Sequence, residues 1–102
     1  MSFDSQQDVF ANSTRASGLL RVLSNEKRLM IMCHLMGGEL SVQQLQTVTG
    51  LAQSTVSQQL AILRGELLVR TRREAQSVYY SIKSEEARML LASLKDIYAA
   101  PL

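Results

Sequence analysis

The stretch Leu40-Ser41-Val42-Gln43-Gln44-Leu45-Gln46-Thr47-Val48-Thr49-Gly50-Leu51-Ala52-Gln53-Ser54-Thr55-Val56-Ser57-Gln58-Gln59-Leu60-Ala61-Ile62-Leu63-Arg64 decides the fold. Ser41 and Gln44 match a capping box, in which the cap hydroxyl and the N3 side chain each satisfy a backbone amide that a helix start leaves open. Leu40 and Leu45 stand at the two places of a hydrophobic staple across that cap. The helix is short, because Thr49-Gly50 offers the left-handed stop that glycine takes without steric cost. Only Leu51 and Ala52 remain before a second helical pattern, in which Val56, Leu60 and Leu63 supply one buried face. Two helices joined by so short a turn containing glycine read as a helix-turn-helix, here over residues 41–64.

The second helix of this pair has a distinctive outer face. At 100° per residue from Val56, the outward positions are Ser54, Ser57, Gln58 and Ala61, flanked by Gln53 and Thr55. These are hydroxyls and amides with no carboxylate among them, so nothing on this face repels phosphate and several groups can bond base edges in a major groove. A polar face on an amphipathic helix is common by itself. The capped short helix, the tight turn and the adjoining basic hairpin, in that order, are what a surface helix alone does not explain.

Downstream of Gly65 the period changes from helical to alternating. Leu67 to Arg73 and Ser77 to Lys83 are rich in Val, Tyr, Ile and Thr, and Val78, Tyr80 and Ile82 alternate with Tyr79, Ser81 and Lys83. Glu74-Ala75-Gln76 is the expected turn of a hairpin over residues 67–83, although it lacks the Gly or Asn that a tight turn prefers. Between Arg64 and Lys83 five basic residues stand against two acidic ones, a local excess greater than the net charge of +2 carried by the whole chain. Such a run is ordinarily a solvated face. Next to a helix-turn-helix it becomes a candidate phosphate contact.

Upstream, residues 5–23 carry a helical stripe of Val9, Ala16, Leu19, Leu20 and Leu23. A second helix follows the N-cap Asn25, with Leu29, Met32, Cys33 and Met36 as its expected inward stripe, and stops at Gly37-Gly38. Ser84 caps a last helix over residues 84–99, with Glu85 and Glu86 in the first turn and Ala87, Leu90, Leu91, Leu94, Ile97 and Tyr98 on its apolar face. The expected fold is therefore mainly α with a β-hairpin wing, in the order ααααββα, as one domain over residues 1–102. The length agrees, since typical domains hold about 100–150 residues. No apolar run approaches the roughly 20 residues that span a bilayer, and the N-terminus lacks the basic and apolar regions of a signal peptide. The chain holds one cysteine, so no disulfide framework exists within it, and a cytoplasmic setting is expected.

Taken together, Leu23-Ser24-Asn25-Glu26-Lys27-Arg28-Leu29, Leu51 to Leu60, Val69-Arg70-Thr71-Arg72-Arg73-Glu74 and Val78-Tyr79-Tyr80 resemble the ArsR/SmtB family of bacterial winged-helix repressors. The resemblance covers residues 15 to 99 and is nearest the thiol-responsive branch, which shares Met32-Cys33 and Glu74-Ala75-Gln76. It implies a transcriptional repressor that binds double-stranded operator DNA as a homodimer built from the first and last helices. The interface residues would be Val9, Ala16, Leu19, Leu23, Leu90, Leu94, Ile97 and Tyr98. On the DNA side, Gln53, Ser54, Thr55, Ser57 and Gln58 would read the major groove. Arg72, Arg73 and Gln76 would seat the wing, and Arg64 and Arg70 would contact phosphate. Family members usually carry Ser where this chain has Ala52, and many have Gly where it has Leu67.

The resemblance also frames what the chain could sense. The paired thiolates that hold metal in many members are replaced by Ser41 and Gln43, and residues 84–99 contain no His, so no metal site and no cofactor are expected. The second cysteine of the thiol branch is replaced in Ile97-Tyr98-Ala99. Cys33, on its apolar stripe, is expected to be a core thiol that resists alkylation. The alternative is a repressor switched by Cys33 alone, through an intersubunit or mixed disulfide. A dimeric protein-interaction module that has lost DNA binding is the rival from another class. Catalysis is not expected: one His, no Gly-rich phosphate loop and no nucleophile–base pair are present. The inducer is not legible in these residues.

Overall fold

The computed structural model describes Asp8 and residues 10–99. Val9, expected at the dimer interface, and the expected helix start at Ser5 lie outside the described residues. Among the described residues five helices and three short strands follow one another: α1 (Ser13–Leu23), α2 (Glu26–Leu35), β1 (Leu40–Ser41), α3 (Val42–Thr49), α4 (Gln53–Gly65), β2 (Val69–Glu74), β3 (Ser77–Ile82) and α5 (Glu85–Ala99). This is the expected helix-rich winged architecture, with one strand more than the hairpin reading supplied. The strand order is β1-β3-β2, all antiparallel.

The caps behave as their residue types dictate. The Asn25 side chain accepts from the amides of Lys27 at 3.0 Å and Arg28 at 3.1 Å. The amide of Gln44 donates to Ser41 Oγ at 3.2 Å while the amide of Ser41 donates to Gln44 Oε1 at 2.8 Å, closing the capping box. Gly50 ends α3 with φ 75°, the left-handed conformation that a β-carbon disfavours. Ser84 Oγ accepts from the amide of Ala87 at 3.1 Å ahead of α5. Ser41 serves twice: it caps α3 and also pairs with Tyr79, as Leu40 pairs with Tyr80. Local sequence marks the cap. The pairing partner lies far along the chain and is set by tertiary structure.

The hairpin begins two residues later than its sequence pattern suggests. The amide of Leu68 donates to the Leu63 carbonyl at 2.9 Å and that of Leu67 to the Arg64 carbonyl at 3.0 Å. This is the two-bond Schellman ending of a helix, with Leu63 and Leu68 buried against one another's side of the core. Leu67 itself adopts φ 64°, the position where glycine is favoured. At the other end, Ala75 adopts φ 56° in the two-residue turn between Glu74 and Ser77.

A single core forms where α2, α3, α4, α5 and the sheet converge. Ile31, Met32, Leu35, Leu45, Val56, Leu60, Leu63 and Ala87 are fully or almost fully buried, with Leu23, Leu68, Val69, Ile82 and Leu91 beside them. Two sequence expectations change here. Leu23, read as an interface residue, is buried in the protomer's own core. On α2 the inward arc is Ile31, Met32 and Leu35; Leu29 and Met36 are half-buried and Cys33 is exposed. The helix is apolar over most of its circumference, so periodicity does not select the arc. Packing against α3 and α4 does.

Candidate nucleic-acid interface

Helix α4 is anchored from below by Val56, Leu60 and Leu63, so it is rotated with its apolar side on the core. That rotation leaves Gln53, Ser54, Ser57, Gln58 and Ala61 exposed on one side, with Thr55 half-buried at the edge. Ala52 extends into the helix with no side-chain cap bond, so it offers no oxygen to the first-turn amides. These donors stay open to solvent or to an anion outside the chain. Arg64 is exposed in the last turn of the same helix.

The wing follows from its register. Arg70 faces Ser81, Arg72 faces Tyr79 and Arg73 faces Val78 across the β2–β3 ladder. Side chains alternate along a strand, so Arg70 and Arg72 share one face while Arg73 takes the other, at the distal end of the hairpin. Arg70, Arg73 and Gln76 are exposed. Among the described residues Arg64, Arg70 and Arg73 make no salt bridge.

Arg72 differs from its neighbours. Its Nε donates to both carboxylate oxygens of Glu39 at 3.1 Å, its two terminal nitrogens bond Glu39 and Glu74, and its guanidinium carbon lies 4.9 Å from the centre of the Tyr79 ring. The hydrogen bond from Arg72 holds the Glu39 carboxyl below its ordinary range, and the two acids push the guanidinium further up. Arg72, expected to seat the wing on DNA, is engaged within the protomer as a brace between the wing and the segment ahead of β1. Glu39 was not legible as its partner, because the two lie 33 residues apart in sequence.

A second long-range contact was likewise missed. Arg28, at the start of α2, donates from Nε to the Val22 carbonyl at 2.7 Å and from a terminal nitrogen to Gln59 Oε1 on α4 at 3.1 Å.

The expected interface residues separate into two groups. Leu19 and Leu90 are half-buried against the protomer core, as Leu23 is wholly. Ala16, Ile97 and Tyr98 are exposed, and Leu94 is half-buried. Leu20, from the α1 stripe, joins them as an exposed apolar side chain, with Phe10 and Met89, which the stripes did not single out. An Arg15–Glu86 ion pair of 2.9 Å ties α1 to α5, so these residues belong to adjoining helices.

Cys33 lies on the wall of a groove of about 650 Å³ between α2 and α5, lined by Leu29, Met36, Leu91, Leu94 and Tyr98 among others. The expectation of a core thiol is overturned: Cys33 is exposed in the protomer. Its neighbours shield the sulfur enough to push the thiol pKa up. The Ser41 oxygen, expected in place of a metal-holding thiolate, is engaged by the helix cap. Among the described residues no group of three or more His, Cys, Asp or Glu side chains is arranged to hold a metal ion.

Residues 25–71 match the family model described as bacterial regulatory protein, arsR family. The chain is also 44% identical over 92 residues to the transcriptional activator HlyU of Vibrio cholerae, covering 90% of this chain and 85% of that protein. The chain belongs to the ArsR family.

Solved structures of the family share its architecture. The transcriptional repressor BigR of Xylella fastidiosa superimposes with a TM-score of 0.88 at 35% identity, covering 94% of this chain and 98% of that one. The homodimeric winged helix-turn-helix DNA-binding domain from Mycobacterium bovis gives a TM-score of 0.75 at 31% identity, over 87% and 82% of the two chains. The matched family segment opens at the Asn25 cap and closes inside β2, so it spans α2, β1, the helix-turn-helix and the strand that bears Arg70. ArsR-family relatives of this chain are transcriptional regulators, named an activator in one case and a repressor in another.

Proposed function

We propose that this ArsR-family regulator acts as a homodimeric repressor that binds a near-palindromic duplex operator. The observation that carries the reading is the carboxylate-free outer face of α4 beside arginines that have no acidic partner among the described residues. Gln53, Ser54, Thr55, Ser57 and Gln58 contact base edges, since amide and hydroxyl groups bond adenine and other bases in the major groove. Arg64, Arg70, Arg73 and Gln76 contact the sugar-phosphate backbone and set the register. Arg72, held by Glu39 and Glu74, orients the wing instead of neutralising a phosphate.

The dimer forms through α1 and α5. Ile97 and Tyr98 are 63% and 81% exposed in the protomer, and with Phe10, Leu20 and Met89 they leave an apolar surface that a second copy would cover. Two-fold symmetry then sets the α4 helices one DNA turn apart, roughly 34–36 Å. The metal-thiolate pair of other members has no counterpart at Ser41 and Gln43, so the regulator responds to something other than a thiolate-bound metal.

A second reading concerns the signal. The exposure of Cys33 favours a thiol-switched form, in which an intersubunit or mixed disulfide at this residue alters DNA affinity. The raised thiol pKa weighs against a fast-reacting thiolate at neutral pH.

The test is selection of bound fragments from random duplex DNA, followed by titration of the selected duplex and a scrambled one at two salt concentrations. A repressor reading requires preference for the selected duplex and reduced transcription from a promoter overlapping it. Equal, weak binding to both duplexes would leave the protein-interaction reading in its place.

A further inference from the structure

We propose that Arg28 and Gln59 form a strut that sets the rotation of α4 relative to α1, making Arg28 a positioning residue for operator recognition. The inference rests on the DNA-binding reading above and extends it to a residue that touches no base.

Arg28 is fixed at its backbone, because its amide donates to the Asn25 cap at 3.1 Å. From that anchored origin the half-buried guanidinium reaches two elements. Its Nε meets the Val22 carbonyl at 2.7 Å, in the last turn of α1, where intrahelical amide partners have run out. A terminal nitrogen meets Gln59 Oε1 at 3.1 Å on α4. One planar group thus joins the end of α1 to the flank of α4. Only arginine fits this position, since lysine has one nitrogen and cannot hold two acceptors in a fixed fork.

Gln59 lies between the exposed Gln58 and the buried Leu60. Successive residues differ by 100° around the helix, so a hold on Gln59 fixes the direction in which Ser57 and Gln58 point. The apolar anchors Val56, Leu60 and Leu63 resist tilting of α4, and the strut adds a directional bond at the edge of that face. Because α1 supplies part of the apolar surface for the second copy, Arg28 connects the geometry of the dimer to that of the reading helix. Losing the strut therefore blurs discrimination between DNA sequences more than it weakens attraction to phosphate.

The experiment compares full-length wild type with Arg28→Lys, Gln59→Leu, the double variant and Gln59→Glu, which retains the acceptor. Affinities are measured for the duplex selected with wild type, for versions with half-site spacing changed by one base pair, and for random duplex, alongside thermal melting. Preference for the selected duplex over random duplex and altered spacings is expected to fall about tenfold in Arg28→Lys and Gln59→Leu, the scale of a lost charged hydrogen bond. The double variant should be no worse than either single one, and Gln59→Glu should keep the spacing preference. The salt dependence should not change. Single variants that melt earlier but discriminate as wild type does, or losses that simply add in the double variant, would overturn the strut. A wild type that discriminates no duplex overturns the DNA-binding reading and the strut with it, whereas a discriminating wild type with indifferent variants overturns the strut alone.

Discussion

Glu39 grips Arg72 through both carboxylate oxygens, tying the loop before β1 to the middle of the wing. Their charge pairing predicts a definite pH response. The Arg72 hydrogen bond lowers the Glu39 pKa from its ordinary value of 4.5, so folding stabilises the ionised form. The contribution is complete above that ordinary value and is lost as pH falls through the lower, folded-state value. NMR titration of the Glu39 carboxyl should show a midpoint below 4.5 in the native protein, returning toward 4.5 in Arg72→Leu. An unshifted midpoint in wild type would mean that the pair is open in solution.

The brace also separates two adjacent arginines by role. Arg73→Ala should lower the slope of log affinity against log salt by about 0.9, the value of one lost phosphate contact on duplex DNA. Arg72→Ala should change that slope less, because its charge is already paired with Glu39 and Glu74 instead of a phosphate. Its main effect should be reduced affinity that Glu39→Gln partly reproduces. Affinity titrations over a salt series decide between this division and equal phosphate contacts.

Leu67 is in a conformation that a glycine would adopt at lower cost. A left-handed residue bearing a side chain is disfavoured by roughly 1–2 kcal/mol, part of which is offset by the greater freedom glycine gives the unfolded chain. Leu67 is 63% exposed, so little apolar burial is lost on its removal. Leu67→Gly should therefore stabilise the protein by about 0.5–1 kcal/mol. Denaturant unfolding at fixed protein concentration would show the gain as a higher midpoint, and a lower midpoint would count against the strain argument.

Ile97 and Leu23, both expected at the dimer interface, should fail in different ways. Ile97→Asp should raise the dimer dissociation constant by about tenfold to a hundredfold, since fully burying such a side chain is worth about 1.5–3 kcal/mol. Its protomer should keep a native far-UV spectrum. Leu23→Ala removes a buried core side chain and should cost about 2–5 kcal/mol of folding stability. Sedimentation equilibrium and denaturant unfolding, run on both variants, distinguish the two kinds of loss.

Cys33 should be alkylated in the folded protein, slowly at neutral pH and faster as pH rises, because burial by its neighbours keeps the thiol protonated above its ordinary value of 9.0. The same raised value means that whatever stability the neutral thiol contributes is present below pH 9 and declines above it. Cys33→Ser should change stability by no more than about 0.5 kcal/mol, as exposed substitutions generally do. Mass spectrometry across a pH series reads the first expectation. Complete protection in the native state would indicate that the second copy covers the groove.

Several features were settled by residues within one helical turn of each other, and these were legible in the sequence. The Ser41–Gln44 box, the Asn25 and Ser84 caps and the Gly50 stop act through local backbone groups, so spacing alone identifies them. Val56, Leu60 and Leu63 fixed the inward face of α4 in the same way, and with it the outward set from Gln53 to Gln58. Tertiary structure decided the rest. Whether Ile31 or Cys33 points inward on the apolar run Leu29–Cys33 of α2 depends on which neighbours pack against it. The engagement of Arg72 by Glu39, the reach of Arg28 to Gln59 and the pairing of Ser41 with Tyr79 each join residues more than thirty positions apart. Local propensity carries no information about such partners, because they meet only after the core has brought their elements together.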